Sequence, residues 1–364
     1  MKVFHCDHCG RLVFFENTHC LKCGRTLAYL PDDVAMASLD PAGDDRWSAN
    51  ALGTNKMVRL CENYTNHNAC NWAVPAADAE RRCRSCRLTR VIPDLGVAGN
   101  QKAWSKIETA KRRLLYSLDR LGCWPRSKVE DAERGLAFEF LSDAPADDGG
   151  PVMTGHAQGL ITLNIAEADD VERERRRVAM HEPYRTLLGH FRHEVGHYYW
   201  DLLLRENPRL EAFRRLFGDE RQDYAKALER HYQQGASADW KERFVSAYAA
   251  SHPWEDWAET WAHYLHMVDL LETASACGLS LKPEHPDEPS IDSPPETGAA
   301  SGGAFNALIE DWFPLTYVLN NLNRGMGLPD AFPFVWNQPV VEKVRFIHDT
   351  VVQASTAPVD RHPA

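Results

Sequence analysis

Eight of the ten cysteines lie within the first 86 residues, six of them as Cys-x-x-Cys pairs, and this placement restricts the fold more than any other feature. The first cluster is Cys6-Asp7-His8-Cys9 followed, ten residues on, by Cys20-Leu21-Lys22-Cys23; each pair precedes a glycine, Gly10 or Gly24. Two residues between cysteines let one tight turn aim both sulfurs at a single ion, and glycine tolerates the backbone geometry after the turn. Two such turns on a short hairpin close a tetrahedral four-sulfur shell. Residues 1–30 therefore read as a structural zinc ribbon, with Leu12-Val13-Phe14-Phe15 as a strand. His5, His8 and His19 could replace a ligand, but four cysteines already fill the shell.

The second cluster, Cys61, Cys70 and Cys83-Arg84-Ser85-Cys86, is looser, with eight residues between its first two members; His67 could stand in for Cys61 or Cys70. It predicts a linker and a second four-cysteine zinc module over residues 31–98. Neither cluster has the open coordination position of a catalytic zinc, so both are expected to be structural. Modules this small cannot build a core alone, so metal binding is expected to supply their folding energy. Arg81, Arg82, Arg84, Arg87 and Arg90 surround the second pair, either as a solvated face or as a contact for nucleic acid or an acidic partner.

Composition narrows the classes. A net charge of −11, from 41 Lys+Arg against 52 Asp+Glu, argues against a general nucleic-acid coat protein. With 44% hydrophobic residues, a sizeable core is possible. No run of eighteen apolar residues predicts a membrane span, and Met1-Lys2-Val3-Phe4-His5-Cys6 lacks the apolar stretch of a secretory signal. Paired thiols without an export signal suit metal ligation in the cytoplasm.

Beyond residue 95, apolar spacing predicts a helix over 102–122 and strands over 136–141 and 160–165, with a turn-rich loop from Asp143 to Gly150. From Val171 the pattern is almost wholly helical, with a charged, solvated face at Glu172 to Arg177. Residues 285–303 read as a flexible loop, and a core helix resumes at Phe305.

Within the helical part lies His193-Glu194-Val195-Gly196-His197. Positions i and i+4 share a helix face, so His193 and His197 can offer two imidazoles to one ion. Glu194 lies about a hundred degrees around the axis. It cannot easily join that shell, but it can reach a water held by the ion, take its proton and later pass it to a leaving amine. The predicted strand at 160–165 would supply an edge for an extended substrate. A third ligand is needed, and a metzincin extension is excluded because the chain has Trp200 and Leu203 where glycine and histidine would stand. Pro253 suits a helix start, which puts Glu255 and Glu259 on one face. We assign Glu255 as ligand and Glu259 as acceptor from a histidine ligand's far nitrogen; the reverse remains open, with Asp256, His263 and His266 as weaker alternatives. Tyr248, seven residues before Glu255, is the first choice as donor to the oxyanion, with Tyr264, Tyr317 and His263 as rivals.

These residues resemble a bacterial family of zinc-binding metallopeptidases with an N-terminal zinc ribbon. The resemblance runs through Cys6–Cys23, Cys70-Asn71-Trp72, Cys83-Arg84-Ser85-Cys86-Arg87-Leu88, the segments 187–200 and 252–266, Pro314-Leu315-Thr316 and Asn323-Arg324. The His193, His197 and Glu255 set is also similar to the gluzincin clan, which includes thermolysin, although 57 residues separate His197 from Glu255 here. Glu255-x-x-x-Glu259 with Tyr248 upstream is similar to anthrax lethal factor. The expected fold is therefore α+β: zinc-ribbon modules, then a mainly helical zincin-like metallopeptidase domain over 99–364 with a small sheet. One catalytic and two structural zinc ions are expected. The expected activity is an endopeptidase acting on a protein or peptide substrate, with ribbons that dock a protein or nucleic acid or hold the enzyme latent. The alternative is a regulatory or binding protein whose zincin domain is inert.

Overall fold

The computed structural model describes residues 1–50, 53, 55–143, 152, 154–179, 185–293 and 305–356. It divides into two compact units, Lys2–Tyr116 with Arg126–Arg175, and Met1 and Ser117–Pro125 with Arg176–Ala364.

The N-terminal unit opens with a hairpin of β1 (Phe4–His5) and β2 (Leu12–Val13), shorter than the predicted strand. An antiparallel meander follows: β3 (Thr26–Leu30), β4 (Ala35–Pro41), β5 (Trp47–Ala49), β6 (Lys56–Leu60) and, after the short helix α1 (Glu62–Thr65), β7 (Ala73–Pro75). Strands β4 to β7 of this five-stranded sheet lie in residues expected to hold a linker and the second zinc module, and β3 in the expected ribbon. The strands of the sheet are short and interrupted by turns, which hides their alternation. A bridge between Tyr29 and Trp72 links β3 to the approach to β7.

Modules expected not to build a core alone share one with Tyr116, from beyond residue 98. Phe15 packs edge-on to Tyr29 at 4.9 Å and to Tyr116 at 5.6 Å, and Tyr29 lies 5.0 Å from Trp72. All four rings are buried, and aromatic pairs of this kind contribute beyond simple burial. In sequence, Phe15 lies between the two pairs of the first cluster and Trp72 stands two residues after Cys70. The arginines around the second cluster are largely matched by carboxylates: Arg81 with Asp45, Arg82 with Glu62, Arg87 with Asp78 and Arg90 with Glu139.

A second, mixed sheet has the order β10 (Gly155–Ala157), β11 (Leu160–Asn164), β9 (Ala137–Leu141), β8 (Thr89–Val91). The strand expected to offer a free edge is therefore internal: β11 pairs antiparallel with β10 and parallel with β9. Helix α2 (Asn100–Arg120) agrees with the predicted 102–122, and α3 (Asp170–Ala179) carries the charged run. In α2, the buried Lys111 ammonium meets Glu108 at 2.8 Å, and Glu108 also accepts from Thr89 at 2.7 Å. The buried Lys111 charge is thereby matched by a carboxylate that is itself hydrogen-bonded.

The C-terminal unit is helical: α4 (Leu187–Leu203), α5 (Leu210–Phe217), α6 (Tyr224–Gln234), α7 (Pro253–Ala276), α8 (Phe305–Gly325) and α9 (Gln338–Thr356). In the expected flexible loop, Ile291 is buried and pairs with Leu281; residues 294–303 lie outside the described residues, as do 144–150 of the other predicted loop. No helix among the described residues is long and apolar enough to cross a membrane.

Candidate metal centres

The thiols of the first cluster stand 3.8 Å (Cys6 to Cys23) and 3.6 Å (Cys9 to Cys20) apart, and Cys70 and Cys83 of the second are 3.7 Å apart. A tetrahedron of zinc–sulfur bonds of about 2.3 Å has an edge of roughly 3.8 Å. Cys61 and Cys86 complete the second group, in which all four residues are buried. Gly10 and Gly24 hold φ of 68° and 74°, the left-handed conformation that each turn requires. His67 is not in the second group; its ring packs on Trp104.

The third group is built where α4 crosses α7. Thr186 caps α4, its hydroxyl accepting from the Gly189 N–H at 3.0 Å. His252 caps α7, and Pro253 occupies its first turn, where the fixed φ suits a helix start. The helices approach closely because Gly196 has no side chain. A Cβ there would stand 3.0 Å from Ala258 Cα and 3.2 Å from Trp261 Cβ. The Trp257 indole donates to the Gly196 carbonyl at 2.8 Å across this contact.

The crossing brings three ligand atoms together. Glu255 Oε2 lies 3.0 Å from His193 Nε2 and 3.5 Å from His197 Nε2, and the two Nε2 atoms are 3.2 Å apart. Three donors on a tetrahedral zinc at about 2.05 Å would be roughly 3.3 Å apart. On the far side of its ring, His193 donates from Nδ1 to Glu259 Oε1 at 2.8 Å, and Ser246 donates to Glu259 Oε2 at 2.6 Å. With its hydrogen on Nδ1, His193 turns a lone pair toward the lone pairs of its neighbours, an arrangement that a cation satisfies. The electrostatics favour positive charge at this place. Burial disfavours charge on His193, but Glu255 and Glu259 outweigh it and raise its pKa well above the ordinary value. Burial also opposes charge on Glu255, yet the facing imidazoles hold its carboxyl well below the usual range.

The other sequence candidates lie elsewhere. Asp256 is buried against Lys343 Nζ at 2.6 Å, and burial pushes its pKa up to about 7. His263 is enclosed by Phe332, Phe334 and Trp336, and His266 meets Arg192 at 2.5 Å. Tyr264 is bonded to His348, and Tyr317 is an exposed residue of α8. Tyr248 stands beside His193, ring centres 5.9 Å apart, and Glu194 is half-buried on α4. Burial and the charge of Glu255 raise the Tyr248 pKa, so its phenol stays protonated.

Sequence reasoning missed three contributors. Trp254 covers His197, ring centres 3.8 Å apart; Ser246 orients Glu259; and Tyr224 donates to Glu255 Oε1 at 2.6 Å. Burial and Glu255 keep Tyr224 protonated as well. The sequence shows no more than a general helical pattern around Tyr224; in the structure Asp223 caps α6, its side chain accepting from the Lys226 N–H at 3.1 Å.

A family described as "Putative zinc-binding metallo-peptidase" matches residues 100–350, and one described as "zinc-ribbon domain" matches residues 3–97. Uncharacterized proteins of Mycobacterium bovis and Mycobacterium tuberculosis are each 44% identical to the chain over 354 residues, covering 96% of it and 95% of their own length. No solved structure matches.

Proposed function

The chain belongs to the zinc-binding metallopeptidase family, and from that premise we propose that it hydrolyses peptide bonds at the His193, His197 and Glu255 site. The observation that carries this reading is the convergence of two imidazole nitrogens and one carboxylate oxygen within 3.5 Å, with Glu194 on the same helix and outside the group. Three protein ligands leave a position open, as a hydrolytic site requires. Zinc bound there supplies Lewis acidity, which lowers the pKa of water and polarises a carbonyl.

The chain's own residues do the rest. Glu259, steadied by Ser246, fixes the tautomer and orientation of His193. Glu194 takes the proton of the attacking water and returns it to the leaving amine. Tyr248, held protonated beside His193, donates to the substrate oxygen as charge develops on it. The cysteine groups have four thiols each and no vacancy, which suits structural ions.

Replacing Glu194 by Gln tests the reading. The variant should keep its zinc and fold while casein cleavage falls by about 10²-fold or more. Cleavage that survives the change would remove Glu194 as the base.

A further inference from the structure

Tyr224 touches the candidate ligand carboxylate from a helix far from it in sequence. Its hydroxyl is 2.6 Å from Glu255 Oε1, and the phenol must donate because a carboxylate only accepts. The other oxygen, Oε2, faces the two Nε2 atoms at 3.0 and 3.5 Å. Glu255 is buried, so solvent does not compete for either oxygen. We propose that Tyr224 is a positioning residue that occupies one oxygen of Glu255, so that the carboxylate offers a single oxygen to the ion held with His193 and His197. This inference rests on the metal site argued above and extends it to a residue outside the ligand set.

The chemistry gives the contact a consequence. A carboxylate free to use both oxygens would bring the protein donors from three to four and close the position that water or substrate needs. A phenol on Oε1 competes with that second bond. It also restrains rotation of the Glu255 side chain.

The fold holds Tyr224 in place through His252. Its Nδ1 accepts the Trp254 N–H at 3.1 Å, capping α7 one residue before Pro253. Its Nε2 must then carry the hydrogen, which reaches the Gln222 carbonyl at 3.2 Å. One imidazole thus ties the residues entering α6 to the first turn of α7, which bears Glu255. The Tyr224 ring stands edge-on to His252 at 5.2 Å and to Trp254 at 5.7 Å, which restricts it further.

The test uses the full chain and reads metal rather than turnover. Tyr224→Phe keeps the ring and removes only the hydroxyl. Chelator competition should show zinc affinity at the third site weakened by about 10–100-fold, with both cysteine sites unchanged. Cobalt in place of zinc should give a visible spectrum shifted toward higher coordination number. Tyr248→Phe, which leaves Glu255 untouched, should change neither readout. An unaltered affinity and cobalt spectrum in Tyr224→Phe would overturn the proposal, and lost turnover besides would put the hydroxyl on the substrate. Glu255→Gln is the control for the underlying reading. If it leaves metal binding at the third site intact, the ligand assignment fails, and with it any role of Tyr224 on that ligand. If wild type binds the third ion but cleaves no peptide, the hydrolytic reading fails while the role of Tyr224 is still decided by affinity and spectrum.

Discussion

His263 lies one helical turn past Glu259, 4% exposed, with Phe334 edge-on at 4.2 Å. Burial is the main cause that lowers its pKa to about 4; Glu259 works against this and Arg192 adds to it. Above about pH 6.5 the ring is neutral whether the chain is folded or not, and it adds no pH dependence. Between about 6.5 and 4 the unfolded chain takes up a proton that the folded chain refuses, so stability falls with pH by about 3 kcal/mol; below that window this residue costs nothing more. Urea midpoints measured at pH 7 and pH 4.5 should therefore converge in His263→Gln relative to wild type. Zinc lost from protonated ligands affects both chains and cancels in the comparison; equal pH slopes would exclude His263 as the source. Residue roles were legible unevenly for a physical reason. His193, His197, Glu255 and Glu259 are related by helix periodicity within one element or by a proline that marks a start. Tyr224 reaches Glu255 across 31 positions, through the path of a loop, and no local period encodes that path.

At the scale of elements, the crossing of α4 and α7 decides whether the third group exists, and Gly196 decides the crossing. In an exposed helix, Gly→Ala would gain about 1 kcal/mol of helix propensity. Here the added carbon meets Ala258 Cα at 3.0 Å and the Ala258 carbonyl at 3.2 Å. These are backbone atoms that cannot swing aside, and overpacking of this kind costs about 1–3 kcal/mol. The clash should win. Gly196→Ala is expected to melt lower than wild type and to bind the third zinc more weakly, because His193 and His197 move away from Glu255 as the helices part. A raised melting temperature with unchanged metal affinity would show that the helices do not cross here. The same geometry explains which elements could be read. Long helices such as α2 and α8 advertise themselves by repeated apolar spacing. The meander of β3 to β7 does not, because its strands run three to seven residues and are defined by partners across the sheet. The misjudged edge strand has the same origin: an alternating pattern marks β11 as a strand but carries no record of β10, which pairs along it.

For the whole molecule, the count of metal ions ties the units to one measurement. The three groups of ligands among the described residues predict three zinc ions per chain, and the three should not be equivalent. The His193, His197 and Glu255 group has three protein donors and lies among helices that bury their own aromatic core, including Trp257 and Trp261. Its ion should leave first under a mild chelator, with far-ultraviolet dichroism unchanged. The cysteine groups are different. Cys70 is followed directly by Asn71, which donates to the Phe15 carbonyl at 2.5 Å, and by Trp72, which packs on Tyr29. A second-cluster ion therefore fixes the residues through which the aromatic core of the N-terminal unit closes. Releasing it leaves buried thiols without partners and frees Trp72 together with β7, which follows it. Structural zinc of this kind contributes folding free energy directly, so the core and the ion should be lost together rather than in sequence. Cys70→Ser is expected to lower the zinc count by mass spectrometry from three to two, and to abolish the near-ultraviolet signal of the buried tryptophan and tyrosines of that unit. A wild-type count of two that Cys70→Ser does not change would remove the second cluster as a metal site and leave the aromatic core to hold the sheet alone.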